Sequence, residues 1–343
     1  MILLPIRRLL SYDCGRLFIK ARKVTILLLT LFFVFSILRI ITQHYRTTTS
    51  TTLNSTEPLW NLIEYQYGNI HFDDHDGTKN ETGFDVSIVP DIVHYIQLKN
   101  PYLEFVTLIS IMSTLRHHRP RLLLIHSDRK VLRGKYWDQV KQLNKTQTYT
   151  IIRLNHIKQP KYIFGKKLSS VYHASDIVRL RVLQQFGGIY LDNDVYVVRS
   201  LHRFRVFEFA IGWPEDQFLG TQVLICHRNA RFLKLWYESY REYKPTLWYY
   251  NAGELPTTKF LEKQPNLVHR EKIQFGVHYL VDMLYEEQNP FWDKMYYAIH
   301  MLARHRSHSD GIVYFNEDNI KDYNRTFGQM ARLAYYGSKN ILK

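Results

Sequence analysis

The sequence predicts an α/β domain built on parallel strands, preceded by one membrane-spanning helix near the N-terminus. Two observations carry this. From residue 86 onward, short β-branched runs alternate with segments whose apolar residues recur at helical spacing. Further upstream, residues 24–41 (VTILLLTLFFVFSILRII) hold a single charge, Arg39, close to their far end.

At about 1.5 Å of rise per residue, a run of that length just crosses a hydrocarbon core, and Arg39 can snorkel to the interface. Residues 1–23 set Arg7, Arg8, Arg16, Lys20, Arg22 and Lys23 against Asp13, a balance of +5 out of a formal net charge of +15. Positive-inside logic therefore reads 1–23 as a basic cytosolic tail, 24–41 as a signal anchor and the remainder as luminal. A cleaved signal peptide is the rival, disfavoured by the long lead and the lack of a small-x-small cleavage site. The run Thr47–Thr56 cannot bury enough apolar surface to fold, so 42–85 reads as a luminal stem and 86–343 as the folded domain. Four N-x-[ST] sequons, at Asn54, Asn80, Asn144 and Asn324, all fall on the luminal side of this topology. The same topology separates the two cysteines, Cys14 and Cys226, and makes Cys226 a buried apolar residue.

The balance of about +10 left on the rest favours anionic ligands: nucleotide diphosphates, acidic glycans, membranes or nucleic acid. A composition 45% hydrophobic and 15% aromatic excludes a mainly disordered chain.

Element by element, Ser87–Ile96 reads as a buried strand and 102–117 as a helix. Arg121–His126 is a second strand, 135–143 a helix and Thr148–Leu154 a third strand. Residues 169–186 form a helix stopped by Gly187-Gly188, and Ile189-Tyr190-Leu191 enters a strand ending on Asp192-Asn193-Asp194 and resumed at Val195–Val198. Strands at Phe209–Gly212 and Gln222–Cys226 and a helix at 229–243 follow. In such a sheet, ligands bind at the C-terminal ends of the strands. Strand alternation would put Asp192 and Asp194 on one side, able to hold a hard divalent ion, with Asn193 pointing away. Alone, an Asp-x-Asp is common by chance, and the Asp176/Arg179 spacing alone reads as a helical i,i+3 ion pair. His94 reads as a satisfied strand-end histidine.

The block His173-Ala174-Ser175-Asp176-Ile177-Val178-Arg179 through Gly187-Gly188-Ile189-Tyr190-Leu191-Asp192-Asn193-Asp194 closely resembles that of the DXD-containing sugar transferases. These are glycosyltransferase family 32, with its α-1,4-galactosyl- and N-acetylglucosaminyltransferases and fungal initiating α-1,6-mannosyltransferases. Val89–His94 is similar to the family's opening strand and Tyr297–His300 to its late A-x-H segment. The resemblance implies a GT-A-type, Rossmann-like nucleotide-sugar-binding domain and a retaining reaction. It implies donor contacts from Asp176, Arg179, Tyr190 and Asp192, and Mn²⁺ (or Mg²⁺) on Asp192, Asp194 and a histidine. His300 is taken as that histidine, with His305 and His308 left open because the family's following Ser-Trp is missing here. The implied partners are a nucleotide-sugar, a UDP-sugar ahead of GDP-mannose, and a glycan or glycolipid acceptor at the Golgi membrane. No catalytic residue is assigned, although Glu215 or Asp216 could act as a base.

Three other classes compete. A catalytically inactive glycan-binding or scaffolding protein of the same fold is opposed by the intact acidic pair. A nucleic-acid binder would have only residues 1–23 in the cytosol. An aspartyl-phosphate phosphotransferase would need a downstream lysine and acidic pair in an order not found.

Overall fold

Residues 70–73 and 76–342 are described in the computed structural model. The basic tail, the apolar run, the Thr-rich tether, Asn54 and Cys14 lie outside the described residues. Among the described residues, no helix is long and apolar enough to cross a membrane.

The alternation read from the sequence produces β1 (Ile92–Gln97), α1 (Phe105–His117), β2 (Leu122–Ser127), α2 (Lys135–Thr146) and β3 (Ile151–His156). Helix α3 (Val171–Phe186) leads into β4 (Gly188–Leu191) and β5 (Val195–Val197). Beyond these come β6 (Phe209–Gly212), β7 (Val223–Cys226), α4 (Arg231–Ser239), β8 (His269–Glu271), β9 (Ala298–His300) and α5 (Thr326–Tyr336). The α/β class is borne out, with shifted boundaries. Residues 87–90 do not belong to β1; the Ile88 and Val89 amides donate instead to the Arg205 carbonyl. The helix predicted over 229–243 ends at Ser239 and tightens into a 3₁₀ turn, Tyr240–Glu242.

Seven strands form one sheet in the order β8-β6-β7-β4-β1-β2-β3. The expectation of a parallel sheet needs one correction: β7 runs against both of its neighbours, β4 and β6. The cause is the connection. Residues 213–222 are too short a link to cross the sheet with a helix, so the chain turns back on itself. The other six strands share a direction and deliver their C-terminal ends to one rim. A separate two-stranded ribbon pairs β5 with β9, setting His300 opposite Val195.

All six residues of β1 are buried, and its two faces meet different helices. On one face the Tyr95 hydroxyl bonds Ser110 and Thr114 of α1 at 3.0 and 2.8 Å. On the other, His94 stacks on Phe186 of α3. His94 Nε2 can only donate to the Gly187 carbonyl, 2.8 Å away, so its Nδ1 accepts from His126 Nε2 at 2.9 Å. His126 Nδ1 in turn accepts from the Asn155 amide at 3.0 Å. This relay satisfies each buried nitrogen from β3 to β4, and burial pushes His94 down to about 4, so it stays neutral. The satisfied-histidine reading of His94 holds, as does the buried reading of Cys226.

The folded part begins before residue 86. Phe72 is buried in the core, and Asn80, on a short helix Lys79–Thr82, is 1% exposed. Its amide donates to the Asn266 carbonyl at 3.0 Å and its Oδ1 accepts from the Phe209 amide. A glycan on Asn80 would forfeit these bonds, whereas Asn144 and Asn324 are exposed. Replacing Asn80 with Gln is therefore expected to lower the unfolding midpoint while leaving mobility on a denaturing gel unchanged; a mobility shift matching loss of one glycan would contradict this.

Gly187 and Gly188 both have positive φ, +64° and +108°. A Cβ on Gly188 would lie 2.7 Å from the Ile92 carbonyl, inside the contact that pairs β4 with β1. Gly188→Ala is expected to cost about 3 kcal/mol or more, read as a fall in the urea midpoint with little change in slope.

Candidate functional site

Strand β4 runs out at the rim, and the next three residues form a tight turn closed by Val195 N–H donating to the Asp192 carbonyl at 3.1 Å. The two carboxylates come together through this turn and not through strand alternation, because β4 stops at Leu191. Asn193 does point away, to a purpose: its amide donates to the Ile96 carbonyl and to Gln97 Oε1 at 2.9 and 3.0 Å, pinning the turn to the end of β1. The strand that follows is clamped on both edges. Ser110 of α1 donates to the Val195 carbonyl and Ser113 accepts from the Val197 amide, while β9 pairs along the other side. Met301 N–H closes the join by donating to the Asp194 carbonyl at 2.8 Å.

The ribbon pairing carries His300 to the acidic pair, with Nε2 3.1 Å from Asp194 Oδ1. Asp192, Asp194 and His300 each offer a ligand atom, all within 4.8 Å of one another. His305 and His308 are exposed on the following loop, and His308 is turned to the Ile312 carbonyl; of the three histidines, His300 is the one brought to the acidic pair. Burial alone would raise the Asp194 carboxyl, but His300 outweighs it and holds Asp194 below its usual range. Burial would likewise lower His300, and Asp194 outweighs it in the other direction. Asp192, Asp194 and His300 would hold a divalent ion: the two carboxylates suit Mn²⁺ or Mg²⁺, and the imidazole favours Mn²⁺ of the two. The residues present therefore fit the metal that the resemblance implied.

Behind the acidic pair, three of the predicted donor residues converge on the guanidinium of the fourth, Arg179. Arg179 lies 2.9 Å from Asp176 and 3.4 Å from Asp192, donates to the Thr221 carbonyl at 2.9 Å, and sits 4.7 Å over the Tyr190 ring. Tyr190 donates its hydroxyl to Asp192 Oδ1 at 2.5 Å. The i,i+3 pair read from spacing is real, but its side chains are only 8% and 14% exposed, so it is no surface pair of marginal worth. Burial raises the Asp176 carboxyl against the pull of Arg179. Burial also opposes the charge on Arg179, yet Asp192, Tyr190 and Asp176 overcome it and push the guanidinium up.

Tyr249 had no signal in the sequence beyond lying in an aromatic stretch. Its hydroxyl donates to the Leu219 carbonyl at 2.5 Å, and burial pushes it up within the fields of Arg179, Asp176 and Asp192. Glu215, one of the two bases considered, is exposed and engaged by Lys272 at 2.5 Å; Asp216 is exposed beside it.

A second group, Asp91, His118 and His202, has metal-like spacing at the opposite end of the sheet, where β1 begins. It is already closed by charge. Arg205 lies 3.8 Å from Asp91 and donates to His202 Nδ1, and Leu201 N–H donates to His118 Nδ1, leaving the proton on Nε2 facing Asp91. A cation there would meet a guanidinium and a protonated nitrogen.

Residues 108–212 match the family described as glycosyltransferase sugar-binding region containing DXD motif. The chain carries that region, and with it the DXD signature of the glycosyltransferases it resembles. The span runs from α1 to the end of β6 and includes Asp176, Arg179, Tyr190, Asp192 and Asp194, while His300 lies beyond it. Glucan organizing enzyme 1 of Cryptococcus neoformans var. grubii is 25% identical over 182 residues, covering 47% of this chain and 46% of that protein. Glycosyltransferase afumC of Aspergillus fumigatus is 25% identical over 181 residues, covering 40% of this chain and 44% of its own. The chain thus spans less than half the length of either curated relative. Among solved structures, the bifunctional glycosyltransferase WbbM is similar with a TM-score of 0.46 at 10% identity, over 74% of this chain and 50% of that one. The galactosyltransferase LgtC in complex with donor and acceptor analogues gives 0.41 at 12%, over 74% and 98%.

The site makes a direct statement about the ion. Calorimetric titration of the full-length chain with Mn²⁺ is expected to show one site, weakened on the order of 100-fold by Asp194→Ala and about tenfold by His300→Ala. His305→Ala and His308→Ala are expected to bind as the parent does. Loss of binding in either of those, with His300→Ala unaffected, would move the third ligand onto the loop.

Proposed function

We infer that this chain is a retaining, metal-dependent glycosyltransferase of the GT-A type. It would move a hexose or N-acetylhexosamine from a nucleotide-sugar to a glycan or glycolipid. The observation that carries the reading is the convergence of Asp192, Asp194 and His300 at the strand rim, backed by Arg179 locked between Asp176 and Asp192. The DXD-region match supports it from an independent direction.

Asp192, Asp194 and His300 would hold Mn²⁺ or Mg²⁺, whose contribution when bound is to neutralise the charge growing on the departing diphosphate. The remaining work belongs to this chain's own groups. Asp176, fixed by Arg179 and partly open, is placed to accept a hydrogen bond from a donor-sugar hydroxyl. Arg179 keeps Asp192 and Asp176 in fixed positions at the expense of its own mobility, which pre-organises the site before the donor arrives. Tyr190 ties down one oxygen of Asp192 and leaves the other for the ligand. No protein base is assigned: in a retaining transfer of this kind the leaving phosphate takes the acceptor's proton, and Glu215 is already occupied by Lys272.

A UDP-sugar is favoured over GDP-mannose as donor. The basic residues 1–23, the apolar residues 24–41 and the exposed sequons at Asn144 and Asn324 support placement as a type II protein of the Golgi membrane with this domain in the lumen. An inactive glycan-binding scaffold is the second reading, and the intact triad of metal-ligand residues speaks against it.

The test is a donor screen. Full-length protein in detergent, with Mn²⁺ and in turn UDP-galactose, UDP-N-acetylglucosamine, UDP-glucose and GDP-mannose, is expected to turn over one donor. Asp194→Ala is expected to lose roughly 1,000-fold in rate while keeping the parent's circular dichroism and melting temperature. Turnover of none of the four donors, or parental turnover by Asp194→Ala with undiminished Mn²⁺ dependence, would overturn the reading.

A further inference from the structure

Most exposed rings of this domain stand alone. Among the described residues, one aromatic contact joins two exposed rings: Trp248, 62% exposed, and Tyr172, 45% exposed, meet edge to face with centroids 5.1 Å apart. Single exposed rings are ordinary, but an exposed pair held in fixed geometry calls for a partner.

This pair is built from below. The Trp248 carbonyl accepts from Nε2 of the buried His173 at 3.2 Å. With that nitrogen donating, His173 Nδ1 accepts from the Tyr243 hydroxyl at 2.5 Å, and Tyr243 in turn accepts from the Ser169 amide. On the other side, Arg304 donates to the Tyr172 hydroxyl at 2.8 Å and lies 5.4 Å from its ring. The backbone of Trp248 is thus fixed, its indole lies against the rings of Tyr172 and His173, with the His173 centroid 5.8 Å away, and Tyr172 is held by Arg304.

The pair also borders the donor site through two stretches of its own chain and a third that carries Arg304. Tyr172 is one helical turn before Asp176 on α3, on the same face. Trp248 immediately precedes Tyr249, which feels Asp176, Arg179 and Asp192. Arg304 follows His300 by four residues and contributes to the field at Asp194. Helix α3, the loop before Tyr249 and the loop after β9 therefore converge beside the acidic pair.

We propose that Trp248 and Tyr172 form the acceptor platform. The acceptor's terminal hexopyranose stacks through a contiguous face of C–H groups on the indole, and Arg304 fixes the second wall. Carbon-bound hydrogens of a pyranose carry slight positive charge and meet the negative face of the ring, while the equatorial hydroxyls stay in water at the edge. β-Galactosides and β-glucosides present such a face; α-mannosides, with axial O2 on one face and axial O1 on the other, present a poorer one. This deepens the transferase reading and rests on it for the word acceptor, though sugar binding itself does not depend on turnover.

The experiment is saturation-transfer NMR on the full-length chain in detergent, with methyl β-D-galactopyranoside, methyl β-D-glucopyranoside and methyl α-D-mannopyranoside as probes, run with and without UDP and Mn²⁺. The expected result is saturation concentrated on ring C–H groups of the β-glycosides. It is lost in Trp248→Ala, partly kept in Trp248→Phe, and accompanied by an unchanged Kd for UDP with Mn²⁺. Where turnover is seen, the acceptor KM is expected to rise about tenfold or more in Trp248→Ala, with the donor KM unmoved. No saturation of any probe by the parent protein, or equal saturation by Trp248→Ala, overturns the platform. Trp248-dependent saturation without turnover of any nucleotide-sugar leaves the platform standing and removes the transferase. Turnover with an acceptor KM indifferent to Trp248 does the reverse.

Discussion

Like charges crowd the rim of this sheet. Asp176, Asp192 and Asp194 are drawn toward one small space, and without compensation their mutual repulsion would splay the turn or force one of them to stay protonated. The buried guanidinium of Arg179 relieves this. It faces two of the three carboxylates, a backbone carbonyl and an aromatic ring together. A lysine ammonium could not make these contacts from one position, because it lacks the planar fork of donors and the flat surface to lie on Tyr190. A pair this buried contributes little to stability relative to apolar packing, but removal of one partner strands the others at a cost of about 3–5 kcal/mol. The arrangement fixes the placement of charge at the rim.

Placement of the turn depends on a rigid floor, and the buried polar relay beneath it supplies one. Asn155, His126, His94 and the Gly187 carbonyl run from β3 to the start of β4, with one tautomer assignment that satisfies them all. Alternative registers of β4 against β1 would leave buried nitrogens unpaired. On the opposite face, hydroxyls of α1 hold Tyr95 and the backbone of β5. The Asp192–Asp194 turn is therefore anchored through Asn193 to β1, through β5 to α1, and through β9 to His300.

The two His/Asp groups of the domain illustrate how similar residue sets diverge. Both bring a carboxylate against imidazole. Around Asp194 the close partner is His300, while Arg179 is engaged by Asp176 and Asp192, and the ligand atoms face partly open space. Around Asp91 the guanidinium of Arg205 enters the group and the backbone amide of Leu201 takes one lone pair of His118. Tautomer and local charge separate a ligand set from a structural knot; residue type does not.

The sequence by itself determined the α/β class, the helix stop at Gly187-Gly188 and the grouping of Asp176, Arg179, Tyr190, Asp192 and Asp194. These are local: periodicity, turn chemistry and one block of about twenty residues contain them. The tertiary structure alone decided the rest, because each remaining point depends on residues far apart in the chain. The ribbon of β5 with β9 brought His300, and not His305 or His308, to the acidic pair across more than a hundred residues. A short link reversed β7, and Asn80 was claimed by Asn266 and Phe209 despite its sequon. Trp248 and Tyr172 became neighbours through His173 and Tyr243, a contact that no spacing in the sequence encodes.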